Sequence, residues 1–377
     1  MTRWVFAIAV LLSAFLLFLV QPLIGRFILP WFGGGQMVWT GCLLFFQLAL
    51  LGGYAYAHFA ARVLGRPRAA RLHLLLLLLC LPFLPLIPSE SLRPDDPARP
   101  LSGIVWVLSL SVGVPYFVLS TTGPLLQSWF SHLFPGRSPY RLFALSNLAS
   151  MIALLGYPFL FEPWITTQQQ AMSWSIGFGV FGLLVAASAW LGLSGLTTGA
   201  SVATITDSAT GADNLTAAPS RGDKLTWIAL SGLGSVLLLA ISNHLTQNIS
   251  SIPLMWVVPL ALYLLTFILC FDARDAASSW YQRSLFLPLL AVMVVAMSWT
   301  LADRELHFML YWQIGLFSAG LFVACMFCHG ELVALKPHPS HLTTFYLMIS
   351  IGGALGALLV GIIAPLTLPA YYELEAG

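Results

Sequence analysis

Charge is what this sequence has least of. Only 8% of its residues are Asp, Glu, Lys or Arg, whereas a typical soluble domain contains roughly 25%. The deficit excludes an ordinary water-soluble domain. Hydrophobic residues make up 59% of the chain and the mean hydropathy is +0.88, so the composition predicts a polytopic membrane protein that contacts the lipid bilayer.

Carboxylates are missing from the apolar runs. All fourteen Asp and Glu residues fall in predicted loops or at helix ends, and Glu162 and Glu331 come closest to the membrane. Proton-coupled and cation transporters need charged groups inside the bundle, because an ion that loses its water needs a partner. The absence argues against a strongly driven cation pump. The groups that remain available at membrane depth are aromatic faces and neutral dipoles. His58 is a candidate proton carrier.

Two further absences exclude other classes of protein. The five cysteines are scattered and suggest no disulfide framework. The net charge of +2 comes from basic residues dispersed among loops, so no nucleic-acid partner is expected.

Eleven apolar runs are long enough to be membrane helices, since a span needs about 20 apolar residues. The predicted spans are 5–25, 37–63, 71–88, 102–130, 140–161, 171–194, 225–245, 253–271, 283–301, 306–329 and 342–364. The first is kept as a helix and not as a signal peptide, because it lacks a small-residue cleavage site.

Basic residues predict the orientation, since Lys and Arg accumulate in cytoplasmic loops. With the N-terminus in the cytoplasm, twelve basic residues lie inside and four, Arg26, Arg93, Arg99 and Arg304, lie outside. The prediction is a multi-pass protein of the bacterial inner membrane with a cytoplasmic N-terminus.

A polar stretch divides the chain into two unequal halves. Residues 1–194 form a first membrane half of six helices, 195–223 a flexible cytoplasmic linker, and 224–377 a second half of five helices. Six helices, a cytoplasmic linker and six more is the plan of the major facilitator transporters. The predicted fold class is therefore an all-α polytopic bundle of about eleven helices, in a 6 + 5 arrangement without the last helix. This count suggests the membrane portion of a longer chain.

Six segments together resemble one bacterial family, the fused major-facilitator and spermidine-synthase-like membrane proteins. They are QPLIGRFILPWFGGG (21–35), FFQLALLGGYAYAH (45–58), TTGPLLQSWF (121–130), SNLASMIALLGYPFLFEP (146–163), SNHLTQNISSIPLMWVVPLALYLLTFILCF (242–271) and CHGELVALKPHPSHLTTFYLMISIGGALG (328–356). The resemblance implies a membrane region that is followed, in longer members, by a soluble aminopropyltransferase-like domain beyond Gly377. A polyamine or related metabolite would be the solute.

The aminopropyltransferase domain itself is not in this sequence, so no catalysis is expected. Such an enzyme needs a glycine-rich turn after a strand. The nearest match, Gly352, Gly353, Gly356 and Gly361, lies in an apolar run, where small residues allow helices to approach closely.

Polar residues at membrane depth are the candidates for a substrate path, because such groups usually face the bundle interior. They are Gln47, Tyr54, His58, Tyr116, Thr121, Thr122, Gln127, Asn147, Asn243, His244, Gln247 and Asn248. Each alone is also explained by hydrogen bonding between helices. Pro115 and Pro124 predict that the fourth helix is kinked or broken near Thr121–Pro124.

A Cys-x-x-Cys-His motif is formed by Cys325, Cys328 and His329. It matches the attachment site of c-type haem, and with Glu331, His338 or His341 it would offer zinc ligands. The cytoplasmic location and the apolar surroundings favour packing thiols and no cofactor. His329, Glu331 and His341 are also candidates for a polar cytoplasmic gate.

Three hypotheses remain from the sequence. The chain is a transporter-like protein for a small solute, a membrane anchor or scaffold for a soluble domain or partner complex, or a membrane metal or haem protein centred on the Cys and His residues. A cavity lined by the path residues would favour transport. A bundle filled with side chains would favour the scaffold.

The orientation can be tested by labelling. A cysteine placed near Arg66, or in the linker near Asp213, should react with an impermeant thiol reagent only after the inner membrane is permeabilised. A cysteine near Asp95 should react in intact cells. Labelling of the linker from outside would contradict the predicted topology.

Overall fold

The structure is a computed structural model that describes residues 2–32, 36–93, 100–198, 218–249, 255–272, 279–302 and 310–367. Every regular element in these ranges is helical. Apolar runs of this length form helices because a helix satisfies its backbone hydrogen bonds within one segment. The prediction of an all-α membrane bundle is confirmed.

Each of the eleven predicted helices has a counterpart, numbered α1 to α11. They are α1 (Thr2–Phe32), α2 (Gln36–Phe59, extended by a π turn, Ala60–Leu64), α3 (Gly65–Leu79), α4 (Pro100–Leu108, a π turn Ser109–Gly113, then Val114–Leu133), α5 (Tyr140–Gly156 and a π turn, Tyr157–Phe161), α6 (Thr167–Thr198), α7 (Arg221–Asn243 and a π turn, His244–Ile249), α8 (Val257–Phe271), α9 (Arg283–Ala302), α10 (Leu310–Ala334) and α11 (Leu342–Leu358, a π turn Leu359–Ile363, then Ala364–Thr367).

By length and composition, nine segments of the described chain can cross a membrane, and α8 is a shorter apolar helix. One of the nine, Gly41–Phe83, contains both α2 and α3. Gly65 separates them with a φ of 67°, which a residue with a Cβ rarely adopts. The chain reverses at Gly65. The reversal brings Tyr56 of α2 onto His73 of α3, whose rings stack with centroids 6.4 Å apart.

The π turns lie next to prolines in three helices. Ser109–Gly113 precedes Pro115, Tyr157–Phe161 contains Pro158, and Leu359–Ile363 precedes Pro365. Proline removes one backbone donor and clashes with the carbonyl four residues earlier, and a wider turn relieves that clash.

The predicted break of α4 at Thr121–Pro124 is wrong, because the α-helix runs without interruption over Val114–Leu133. The hydroxyls near the expected break form hydrogen bonds within the helix itself. Thr121 and Thr122 both donate to the carbonyl of Val118, at 2.8 and 2.7 Å. The irregular turn lies earlier, before Pro115.

Several predicted boundaries shift. Helix α1 continues through Pro22 and Pro30. The helices on either side of the predicted linker extend into it, because α6 ends at Thr198 and α7 begins at Arg221. Ser220 begins α7 with a capping box, in which its side chain accepts from the Asp223 amide at 3.1 Å and its amide donates to the Asp223 carboxylate at 2.8 Å. The rest of the predicted linker, 199–217, lies outside the described residues.

Three ion pairs join helix ends that the predicted alternation places on the same side. Arg26 lies 3.4 Å from Glu162 at the ends of α1 and α5. Arg141 lies 3.2 Å from Asp272, and Arg283 lies 3.5 Å from Glu331. These pairs agree with the alternation of the helices but do not decide which side is cytoplasmic, so the N-in orientation stays a prediction.

The largest core cluster contains only residues from the first membrane half, from Phe6 to Ala189. In the second half, α11 packs closely on α7 through glycines. A Cβ on Gly352 would meet the carbonyl of Ile228, and one on Gly356 would lie 2.8 Å from the carbonyl of Gly232. The prediction that these two glycines serve helix packing agrees with this geometry.

Substitution of Gly356 tests this contact. Gly356→Ala should destabilise the bundle by about 1–3 kcal/mol, because the added methyl overpacks a backbone contact. The measurement is thermal unfolding of purified protein. Gly353→Ala is the control on the same helix, since its Cβ would lie 3.5 Å from Ser235 Oγ, an ordinary contact. Equal losses in both variants would contradict the close approach.

Candidate functional site

In the described part of the chain, a buried hydrogen bond connects the first membrane half to the second. The Tyr346 hydroxyl of α11 donates to the Gln127 side-chain carbonyl of α4 at 2.7 Å. Each of the two residues is only 1% exposed. A buried polar pair is stable in such surroundings only when both partners are satisfied, so this bond fixes α4 against α11.

Aromatic rings surround this hydrogen bond. Phe143 of α5 stacks on Tyr346 with ring centroids 4.8 Å apart and an interplanar angle of 18°. Tyr140 meets Tyr346 edge-on at 6.2 Å, and Tyr54 of α2 lies 6.5 Å away. We call these five residues, Tyr54, Gln127, Tyr140, Phe143 and Tyr346, the interface cluster. Its members come from four helices in both halves.

Further contacts join the halves beside the interface cluster. The Tyr140 hydroxyl donates to the backbone carbonyl of Pro337 at 2.6 Å. His58 Nδ1 lies 3.2 Å from the Thr343 hydroxyl, which joins α2 to α11. Lys336 places its ammonium 5.5 Å from the centre of the Tyr140 ring, a cation–π distance. All of these contacts lie at the end of the bundle predicted to be cytoplasmic, so the halves are held closed at that end.

A second polar pair lies between α1 and α4. The Gln21 amide lies 3.4 Å from the Tyr116 hydroxyl, and Tyr116 is 1% exposed. Tyr116 also packs on Phe46 with ring centroids 4.8 Å apart. Polar groups of α1 and α4 are thus paired inside the first half.

The structure brings together only part of the predicted substrate path. Tyr54, His58 and Gln127 contact the second half as described above. Thr121 and Thr122 turn instead toward His73 inside the first half, with Thr122 Oγ1 3.0 Å from His73 Nε2.

The other predicted path residues are more dispersed. Asn147 donates to the Phe143 carbonyl of its own helix at 2.8 Å, and Gln47 is partly buried on α2. Asn243 is partly buried near the end of α7, where the His244 ring lies 4.4 Å from that of Phe317. The side chains of Gln247 and Asn248 lie outside the described part of the structure.

Sequence reasoning missed Tyr346, Tyr140 and His73. His73 stands alone in a leucine run, and an ionisable residue within a membrane span is itself a signal of a functional or tightly packed position. Nothing in the sequence distinguished Tyr346 from the other aromatic residues of α11, because its role depends on a partner more than 200 positions away.

Two residues of the proposed cytoplasmic gate, His329 and Glu331, face different partners. His329 is fully buried and bonds to Thr266 at 2.9 Å. Glu331 accepts a hydrogen bond from Tyr281 at 2.6 Å and pairs with Arg283. Burial, together with this hydrogen bond and the charge of Glu331, raises the pKa of Tyr281. His341 ends the 3₁₀ turn that precedes α11.

The hypothesis of a metal or haem centre gains no support. In the described ranges, no group of three or more His, Cys, Asp and Glu residues is arranged to hold a metal ion. Cys325 and Cys328 are buried thiols, and the His329 ring stacks on Phe267 at 3.6 Å.

The fold resembles that of a major facilitator transporter. A crystal structure of a double tryptophan mutant of XylE, a transporter of this class, aligns with a TM-score of 0.53 over 99% of this chain and 91% of that chain. The two sequences are 13% identical, so the similarity shows the fold alone. No family model matches the sequence, and no curated protein matches it.

A double-mutant cycle measures the hydrogen bond between the halves. Tyr346→Phe keeps the ring on Phe143 but leaves the Gln127 carbonyl buried without its donor, which should cost about 1–3 kcal/mol. Gln127→Leu should recover part of this loss when combined with Tyr346→Phe, since no orphaned acceptor then remains. Denaturant unfolding in detergent gives the coupling energy, and strictly additive losses would contradict the bond.

Proposed function

We propose that this chain is a transporter-like membrane protein that binds a small solute between its two halves, at the interface cluster. The observation that carries the proposal is the buried hydrogen bond between Gln127 and Tyr346. This bond supports the proposal because it joins polar side chains of the two halves, and the halves of a transporter must separate.

The physical argument rests on the cost of buried polar groups. Apolar side chains alone would pack two helices together. A buried polar pair adds a desolvation cost unless both of its partners are hydrogen-bonded. The pair therefore suits an interface that opens as well as closes. When the halves part, the amide of Gln127 and the hydroxyl of Tyr346 become free to bond water or a solute.

The chemistry of the interface cluster favours a neutral solute with hydrogen-bond donors. It offers an amide, phenol hydroxyls and aromatic faces. The two carboxylates nearest to the membrane are engaged elsewhere, Glu162 with Arg26 and Glu331 with Tyr281 and Arg283. A polyamine remains the candidate that the family resemblance implies, and aromatic faces can bind its ammonium groups. The ammonium of Lys336 beside Tyr140 opposes such a cation.

A scaffold without transport is the second candidate. It is favoured because the members of the interface cluster are bonded to and packed on one another, as in a bundle filled with side chains. In this alternative the bundle anchors a soluble aminopropyltransferase-like domain or a partner complex in the bacterial inner membrane. Neither candidate assigns catalysis to the described helices.

A matched pair of substitutions tests solute binding. Gln127→Leu removes the amide from the interface cluster, whereas Thr122→Val removes a buried hydroxyl that faces His73 in the first half. Gln127→Leu should abolish or strongly reduce binding, and Thr122→Val should leave the affinity unchanged while costing about 1 kcal/mol of stability. Binding of spermidine, amino acids and sugars to monodisperse protein is measured by calorimetry.

The same measurement separates the two candidates. If the wild-type protein binds none of these solutes, the scaffold is favoured. Equal loss of affinity in both variants would place the solute elsewhere than the interface cluster.

A further inference from the structure

The second half contains a buried histidine with one ring nitrogen that lacks a partner. His329 of α10 is 0% exposed. Its Nδ1 atom lies 2.9 Å from the Thr266 hydroxyl oxygen of α8. Its Nε2 atom is buried and has no hydrogen-bond partner among the described residues.

The single hydroxyl hydrogen of Thr266 determines which ring nitrogen carries the proton. Thr266 Oγ1 also lies 2.8 Å from the backbone carbonyl of Tyr263, which can only accept. Both short contacts are hydrogen bonds only if the hydroxyl donates to that carbonyl and His329 Nδ1–H donates to the hydroxyl. The Nε2 atom of the neutral ring is then a bare acceptor, and an unsatisfied buried acceptor is costly.

A small space lies beside this acceptor. The ring is fixed by stacking on Phe267 at 3.6 Å and by edge contact with Tyr263 at 4.9 Å. On the α7 side the neighbour is Gly234, where a Cβ would lie 3.4 Å from Nε2 and 3.6 Å from the Tyr263 ring. The missing side chain leaves a space of about the size of one methyl group close to Nε2.

A second buried histidine has a hydroxyl oxygen near each of its two ring nitrogens. His73 in the first half is also 0% exposed. Its Nε2 atom lies 3.0 Å from Thr122 Oγ1 and its Nδ1 atom 3.4 Å from Thr121 Oγ1. Both of its nitrogens therefore have neighbours, whereas His329 has one for only one nitrogen.

One aromatic ring separates His329 from the interface cluster. Phe267 covers the His329 ring and meets Phe143 edge-on with centroids 5.5 Å apart. Phe143 stacks on Tyr346 within the cluster. His329 is therefore linked to the interface cluster through one layer of aromatic packing.

We propose that His329 Nε2 is an acceptor site for a small hydrogen-bond donor held against Gly234. The donor is an N–H or O–H group, supplied by a bound water molecule or by the polar end of a solute. The site does not depend on the proposed transport function, since water would occupy it in a scaffold as well.

Nitrogen NMR of histidine tests the proposal directly. The full chain, labelled with ¹⁵N-histidine in lipid bilayers, should show His329 with a protonated Nδ1, an unprotonated Nε2, and a through-space contact from Nε2 to a donor proton. His329→Asn identifies the signals, because it keeps an amide N–H for Thr266 and deletes Nε2.

Gly234→Ala should abolish the donor contact while leaving the Nδ1 signal in place, because its methyl fills the space without a clash. Gly52→Ala is the matched control in the first half, where the new Cβ would lie 3.7 Å from the Phe117 ring. It should leave the contact unchanged. Should Gly234→Ala fail to fold, the tautomer and the donor contact of the wild-type protein still decide the proposal.

Solvent and solute identify the donor. A contact present without solute and lost in D₂O indicates water, and a contact that appears only with spermidine or glucose indicates a solute. The proposal is overturned if Nε2 is protonated. It is equally overturned if a bare Nε2 shows no donor contact in water or with either solute, or if Gly234→Ala leaves the contact intact.

Discussion

Hydrocarbon supplies no hydrogen bonds, and this constraint governs both the backbone and the side chains of this protein. The backbone meets it by forming helices over the apolar runs of the described ranges. Hydroxyls within the helices meet it by donating to the preceding turn, as Ser120 does to the Phe117 carbonyl at 2.7 Å and Thr122 to the Val118 carbonyl. Other side chains form bonds between helices. Among them, Gln127 with Tyr346 and His58 with Thr343 join the halves.

The same constraint explains which parts of the fold could be predicted from the sequence. Apolar runs of about 20 residues must become helices in lipid, so the positions of all eleven helices follow from hydropathy alone. Their ends do not, because helices can extend beyond the membrane into water. Helix α1 continues past Gln21 to Phe32, and α7 begins at the Ser220 cap. Irregular turns likewise depend on how each proline is accommodated, and the π turn before Pro115 replaced the break expected near Pro124.

The site was predicted only in part, because hydropathy does not determine the rotation of a helix. A helix that is apolar on all sides gives no sign of which face meets its neighbours. Gln127 and Tyr54 were found as polar residues at depth, and both lie between the halves. Thr121 and Thr122 carry the same sequence signal but face His73 in the first half. Tyr346 was missed since an aromatic residue in an apolar run is ordinary, and its hydrogen bond exists only once α4 and α11 are packed together.

A few polar contacts and many aromatic contacts hold the two halves together. Rings pack well in any orientation that fills space, with about 0.5–1.5 kcal/mol per pair beyond burial, so they can form alternative contacts when helices shift. A hydrogen bond such as that of Tyr346 to Gln127 has one correct geometry. The rings of Phe143, Tyr140 and Phe267 therefore supply adhesion between the halves, while the polar pair defines the register in which they meet. A bundle of this kind can separate at modest cost where a solute or water takes over the freed hydrogen bonds.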